Sequence, residues 1–362
     1  MKRTSASRPH RKFLLSAAAI VCSAIALLAG VGAAAAQAAG TPAAASGGTW
    51  GTAREVAGAL NSGGLAGVLS VSCKSAGNCS AGGDYTTRSG NGEAFVVSQV
   101  NGTWRTAQEV AGRLNTGGAA QVLSVSCGSP GNCSAGGLYA SNSRTQAFVV
   151  SEVRGTWRTA QGVAGRLNVG GSAWLNSVSC ASPGNCSAGG LYTSRSGTQA
   201  FVVSEVRGTW RAAQEVAGAL NAGGGALVNS VSCASPGNCS AGGSSTSRSG
   251  ALQAFVVSER NGAWGAARKI AIGGNAEIAA VSCPSAGNCS AGGSTSGQAF
   301  VVSERSSTWG TAQLVPGTAA LNTGRNAEVD AVSCASAGRC SAGGDFTERA
   351  GRRVQAFVVS ET

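Results

Sequence analysis

Histidine is nearly missing from this chain: His10 is the only one in 362 residues. The side chain that most often serves as general base, nucleophile activator or metal ligand is therefore absent from almost the whole sequence. Charge is thin as well, with Asp, Glu, Lys and Arg making up 12% of residues and acids outnumbered by bases, 15 to 27. Aromatic residues reach only 5%, and there is a single methionine. No basic run or nucleic-acid motif is present, so nucleic acid is not an expected partner, and the formal charge of +12 reads as a solvated, solubilising surface. What the chain has in quantity is glycine, 56 residues, and cysteine, 13 residues.

The first 38 residues have the form of a secretory signal peptide. Lys2, Arg3, Arg8, Arg11 and Lys12 precede an apolar run from Phe13 to about Ala36, and Ala36-Gln37-Ala38 suits signal peptidase. A retained anchor would need roughly 20 apolar residues and a stop-transfer flank, which this Gly/Ala-rich end lacks. Cleavage would remove His10, Cys22 and five of the 27 basic residues, leaving 22 − 15 = +7. The expected location is extracellular, with no membrane attachment after cleavage. Residues 39–47 form a short Ala/Gly/Pro linker.

From residue 48 onward the sequence repeats. Cysteine pairs fall at Cys73/Cys79, Cys127/Cys133, Cys180/Cys186, Cys233/Cys239, Cys283/Cys289 and Cys334/Cys340. Each pair is followed by Ser-Ala-Gly-Gly, a polar loop and Ala-Phe-Val-Val-Ser, and tryptophans recur at 50, 104, 157, 210, 264 and 309. A fixed period of this length signals a repeat architecture. Each unit reads as four short antiparallel strands, since β-branched and aromatic runs alternate with Gly, Asn and Ser clusters. Asn101-Gly102, Arg154-Gly155 and Asn261-Gly262 supply tight-turn chemistry between the third and fourth strands.

The expected fold is all-β: a six-bladed β-propeller over residues 48–362, with four antiparallel strands per blade. The chain opens on a fourth strand at Gly48–Trp50 and stops on a third at Ala356–Ser360, so the N-terminal strand is expected to complete the last blade and close the ring. The alternative, an open solenoid, would want distinct capping repeats.

Gly189-Gly190, Tyr192 and Trp210 resemble the kelch pattern, in which a glycine doublet ends the second strand and a tryptophan sits on the fourth. Ser204 to Trp210 resembles a degenerate Asp-box with Val206 in place of the aspartate, so no sialidase residue carries over. As a whole, residues 48–362 resemble secreted bacterial repeat proteins built from SVSC-x-S-x-GNC-SAGG units, a likeness specific for fold and nearly silent on activity.

Twelve cysteines at Cys-x5-Cys spacing in an exported chain read as six local disulfides, each pinning the turn between the first two strands of its unit. Each should add about 2 kcal/mol by restricting the unfolded chain. The spacing is not the usual Cys-x2-Cys of zinc sites, and no metal or other cofactor is expected.

A residue present in nearly every unit serves the unit, as Glu152, Glu205, Glu259, Glu304 and Glu361, and Asn61, Asn115, Asn168, Asn221 and Asn322, are read to do. A ligand site should lie where the symmetry breaks. Tryptophan-to-cysteine separations are 23 in four units, 19 from Trp264 to Cys283 and 25 from Trp309 to Cys334. The loop after the glycine doublet shrinks to five residues (294–298) in the fifth unit and grows to eleven (345–355) in the sixth. Glu328 and Asp330 stand two apart on a first strand and are expected to share a side. Glu277 matches Glu328 one unit earlier, Asp345 and Asp84 occupy matching loop positions, and Arg325 is nearby. Trp174 is unique at its position and suited to stacking on a sugar.

Glu277, Glu328, Asp330, Asp345, Arg325, Asp84 and Trp174 are thus the candidate ligand-binding residues. Three readings stay open for them: a solvated rim without ligand, a binding surface for an extracellular polysaccharide or protein, and a carboxylate enzyme (glycoside hydrolase or lyase) or calcium-binding propeller. The chain is expected to act as a monomeric, non-catalytic binding module.

Overall fold

The structure, a computed structural model, describes residues 50–348 and 353–361. The expected signal peptide and linker lie outside the described residues. No helix among them is long and apolar enough to cross a membrane.

The chain is all-β and builds six antiparallel sheets in sequence order, spanning residues 66–110, 120–163, 173–216, 226–269, 276–314 and 327–360. The third is representative. Its strands Ala173–Ser182, Asn185–Ser194 and Gly197–Val206 pair in order, and two short pieces, Thr209–Trp210 and Gln214–Val216, both pair with the third strand. The expected fourth strand is therefore split. Arg207 and Gly208 make the tight turn into it with φ of 52° and 79°, the left-handed pair that an Arg-Gly or Asn-Gly hairpin requires.

The Ala-Phe-Val-Val runs of the first four sheets are buried at four consecutive positions, as in Ala200 to Val203. A strand covered on one face would alternate; these are covered on both, because each sheet is packed between its neighbours. Close packing also explains the glycine doublet. It lies inside the second strand, not at its end as the kelch pattern implies. A Cβ on Gly189 would sit 2.6 Å from Val228 Cγ1 of the next sheet, and one on Gly190 would sit 2.1 Å from the Trp174 carbonyl oxygen.

All six expected disulfides form: Cys73–Cys79, Cys127–Cys133, Cys180–Cys186, Cys233–Cys239, Cys283–Cys289 and Cys334–Cys340, each joining the first two strands of its sheet. Each bridge closes the turn between those two strands, as expected, and one half of it also enters the core. The second cysteine of every pair, Cys79, Cys133, Cys186, Cys239, Cys289 and Cys340, lies inside the second strand and is buried, so these six are core residues and not accessible site residues. The reason is packing between sheets. Cys133 and Cys186 belong to the apolar clusters of the second and third sheets, and the sulfurs of Cys133, Cys186 and Cys340 lie 3.3, 3.4 and 3.2 Å from the hydroxyls of Ser80, Ser134 and Ser290 on the preceding sheet. Cys79, in the first sheet, is buried beside Ala81 at the same strand position.

The Gly208 N–H donates to the Gly184 carbonyl at 2.9 Å, so the disulfide turn and the third-to-fourth hairpin share one end. At the opposite end the recurring asparagines tie the loops. Asn115 Nδ2 donates to the Gly92 carbonyl at 2.9 Å while its Oδ1 accepts from the Ala119 N–H at 2.9 Å.

The recurring glutamates join one sheet to the next. Glu205 of the third sheet accepts from Ser151 at 2.8 Å and Ser134 at 3.1 Å of the second, and Trp210 Nε1 donates to the same Ser151 at 3.0 Å. Glu152 and Glu259 repeat this arrangement with Trp157 and Trp264. A buried carboxylate is tolerated because its lone pairs are met by hydroxyls.

Burial nonetheless pushes the Glu205 carboxyl above its ordinary range, against the lowering effect of hydrogen bonds from Ser151 and Ser134. A raised native value favours the protonated folded state. Its stabilising contribution is complete below the ordinary glutamate range and is lost as pH rises through the native value. Wild type should therefore gain in Tm relative to Glu205→Gln as pH falls from 7 toward 4, as read by differential scanning calorimetry. Parallel pH profiles would refute the buried, ionising role of Glu205.

The sixth sheet departs from the expectation. Among the described residues it has three strands, Ala327–Ser336, Arg339–Glu348 and Arg353–Ser360, and residues 50–56 form no strand on it. Trp50 stands fully in solvent, while Gly48 and Thr49 lie outside the described residues. Consequently two apolar faces are open. Val68 and Val71 of the first sheet are 47% and 43% exposed, and Val358 of the sixth is 88% exposed, where Val96, Val149 and Val202 in the same position are buried.

Candidate functional site

The loop end of the fifth and sixth sheets is where the units differ most. In the fifth, strands Asn288–Thr295 and Gln298–Arg305 are joined by only Ser296-Gly297, which the left-handed φ of both residues permits. In the sixth the corresponding strands run on to pair Glu348 with Arg353. The connection into the sixth sheet carries a one-turn helix, Thr318–Leu321, and Arg325 follows it, exposed and with φ 59°.

Glu328 and Asp345 are direct cross-strand partners, so their side chains rise on one face of the sixth sheet. Asp330 occupies the irregularity between Val329 and Ala331, where the pairing register shifts. Burial alternates from Ala327 through Asp330, so Asp330 shares a side with Glu328 as the two-residue spacing implies, in spite of the irregularity. One oxygen from each of Glu328, Asp330 and Asp345 can be chosen so that all lie within 4.8 Å of one another, and all three residues are half-buried. Such a set matches the hard-oxygen preference of a divalent cation and equally the hydroxyls of a sugar.

The remaining candidates are dispersed. Glu277 pairs with Ser294 in the fifth sheet, half-buried. Asp84 pairs with Gly67 in the first sheet, where burial raises its carboxyl and a hydrogen bond from Gln121 of the second sheet opposes the rise. Trp174 pairs with Leu191 in the third sheet, half-buried and two sheets before Glu277. The structure thus brings together three of the seven, spreads Asp84, Trp174 and Glu277 over three other sheets, and leaves Arg325 on the connection into the sixth.

No protein-family model matches the chain, and no curated protein matches it in sequence. Among solved structures it is similar to a protein of unknown function from Dyadobacter fermentans, at 11% identity and a TM-score of 0.46, over 81% of this chain and 94% of that one. It is similar to the fucose-specific lectin of Aleuria aurantia at 11% identity and a TM-score of 0.41, over 82% and 95%. A glycoside hydrolase family 74 xyloglucanase from Xanthomonas campestris overlaps at 14% identity and a TM-score of 0.41, over 80% of this chain and 47% of the enzyme. Overlaps this loose do not bear on the chemistry.

One irregular region lies outside the expected set. Arg260, at the end of the third strand of the fourth sheet, stands 3.4 Å from Glu304 of the fifth, and hollows open on either side of it. Its sequence signal is the change from Val100, Val153 and Val206 to arginine at this position.

Proposed function

We propose that the chain is a secreted, monomeric six-bladed propeller that binds an extracellular polysaccharide through the loop end of its last sheets and catalyses no reaction. The observation that carries the binding site is the gathering of Glu328, Asp330 and Asp345 within 4.8 Å where the repeat is broken. Matching positions in the second and third sheets hold Gln121 and Leu138, and Trp174 and Leu191, so the acids are not needed to build a sheet. Carboxylates accept hydrogen bonds from sugar hydroxyls, and three on one rigid face select a hydroxyl pattern.

Ring closure belongs to the same reading. The first sheet's Val68 and Val71 match Val228 and Val231, which pack on Gly189 of the sheet before them. Gly343 of the sixth sheet, matching Gly189, meets only its own sheet. The two open faces are therefore complementary. In the register of the first sheet, Val56, Glu55 and Arg54 would pair with Ala356, Phe357 and Val358, Trp104 would donate to Ser360, and Trp50 to Ser303. Glu328 and Asp345 would then face the seam, opposite Gly67, whose Cβ position has nothing within 4 Å.

A polysaccharide and protein array probed with the secreted chain tests the site. Wild type should give a saccharide signal that Glu328→Ala/Asp330→Ala lowers at least tenfold. A signal only on proteins would replace the polysaccharide reading, and an unchanged signal in the double variant would remove these acids from the site.

A further inference from the structure

The repeat also breaks on its outer side, away from the loops. The outer strand begins Thr103-Trp104-Arg105-Thr106, Thr156-Trp157-Arg158-Thr159 and Thr209-Trp210-Arg211-Ala212 in the first three sheets, but Ala263-Trp264-Gly265-Ala266 in the fourth. Most of these replacements remove atoms. A cleft of about 290 Å³ lies there, bounded by Ala263, Gly265 and Ala266, with Trp309 of the fifth sheet at its base. A second hollow of about 190 Å³ meets it at Ser258, Arg260 and Ser307.

Charge changes in the same place. Arg260 replaces Val100, Val153 and Val206, and Arg268-Lys269 replaces Gln108-Glu109, Gln161-Gly162 and Gln214-Glu215. Arg260 is held by Glu304 at 3.4 Å and donates to the Ser307 carbonyl, which fixes its guanidinium between the two hollows. Arg268 lines the cleft and is exposed. A trimmed outer strand flanked by two arginines, with the Ser258 and Ser307 hydroxyls between them, offers a fixed cationic corner, hydroxyl partners and an aromatic edge.

We propose that this cleft holds a uronate residue of an acidic polysaccharide, with the carboxylate on Arg268 and Arg260 and the ring against the Trp309 edge. Guanidinium groups bind carboxylates through paired N–H donors, and the serine hydroxyls suit the sugar's own. The site is distinct from the acidic group of the sixth sheet and rests on the reading of the chain as a polysaccharide binder.

Calorimetric titration of the full secreted chain with oligogalacturonate, and with a neutral oligosaccharide of equal length, tests it. Arg268→Gln installs the residue found at the matching position of the first, second, third and fifth sheets. Gly265→Gln fills the cleft without charge, and a Cβ there meets only the Ser258 carbonyl oxygen at 3.5 Å, an ordinary contact. Each variant should weaken oligogalacturonate binding at least tenfold with Tm unchanged. Arg211→Gln, an equal loss of charge on the third sheet, should leave it within twofold. Equal weakening by Arg211→Gln and Arg268→Gln would reduce the effect to net charge and overturn the site, as would undiminished binding by Gly265→Gln. Binding of neutral sugars alone would overturn this site and leave the broader reading standing; binding of neither would remove both.

Discussion

Gly190→Ala is expected to destabilise the chain by about 3 kcal/mol or more, with loss of cooperative unfolding in the third sheet. The added methyl would lie 2.1 Å from the Trp174 carbonyl oxygen and 2.8 Å from Leu175 Cα. Both are backbone atoms of the strand paired with it, so no side chain can rotate away. Relief requires the first two strands to part, and the first strand also carries Leu175, fully buried in the core between the second and third sheets. Gly165→Ala is the contrast, because nothing lies within 4 Å of its Cβ position; it should change stability by less than about 1 kcal/mol. Guanidinium unfolding followed by far-ultraviolet circular dichroism separates the two. A small effect of Gly190→Ala would mean that the glycine doublet is not set by strand contact.

Val358→Asp is expected to cost several kcal/mol, comparable with Val202→Asp. At its position Val96, Val149 and Val202 are buried against the following sheet, whereas Val358 is 88% exposed. If the first sheet docks there, an aspartate would be buried against Val68 and Val71 without a partner, at a cost of about 3 kcal/mol or more. On an open face the same change would be nearly neutral. The Tm difference between Val358→Asp and Val202→Asp thus reads whether the ring is closed, and a neutral Val358→Asp would show an open arc.

Much of the fold was legible because its signals are local and occur in every unit. Cysteines six apart, a tight-turn pair (Asn-Gly, Arg-Gly or, in the fifth unit, Ser306-Ser307) two residues before the recurring Trp, and an uninterrupted Ala-Phe-Val-Val each specify their own few residues, and the structure realises all of them. The bulge at Asp330 and the splitting of the outer strand were not legible, since both arise from register against a neighbour. The burial of Cys133, Cys186 and Cys340 was hidden for a related reason: spacing names the partner cysteine but not the serine of the preceding sheet that each sulfur meets. The partners of Glu205, Ser151 and Ser134, lie 54 and 71 residues away in sequence. Repetition marks such a residue as structural without naming what it touches.

The site was legible in part for the same reason. Loop lengths pointed to the sixth sheet, and Glu328, Asp330 and Asp345 do converge there. Trp174 and Glu277 also break the pattern, but whether pattern-breaking residues meet depends on which sheets adjoin. The outer cleft leaves the trace Ala263-Trp264-Gly265-Ala266, which acquires meaning only once Trp309 and Arg260 are placed beside it.

Closure of the ring determines whether Glu328 and Asp345 face a seam or open solvent. The most direct measurement is a disulfide between residues that closure would pair, in the variant Arg54→Cys/Val358→Cys, with cross-linked peptides identified by mass spectrometry without reduction. Cross-strand partners have Cβ atoms about 5 Å apart, near enough for a bridge after slight adjustment. An intramolecular link between the peptides holding positions 54 and 358, in monomeric protein, is the expected result. Free thiols at both positions, or links only between chains, would contradict a closed ring and the seam built on it.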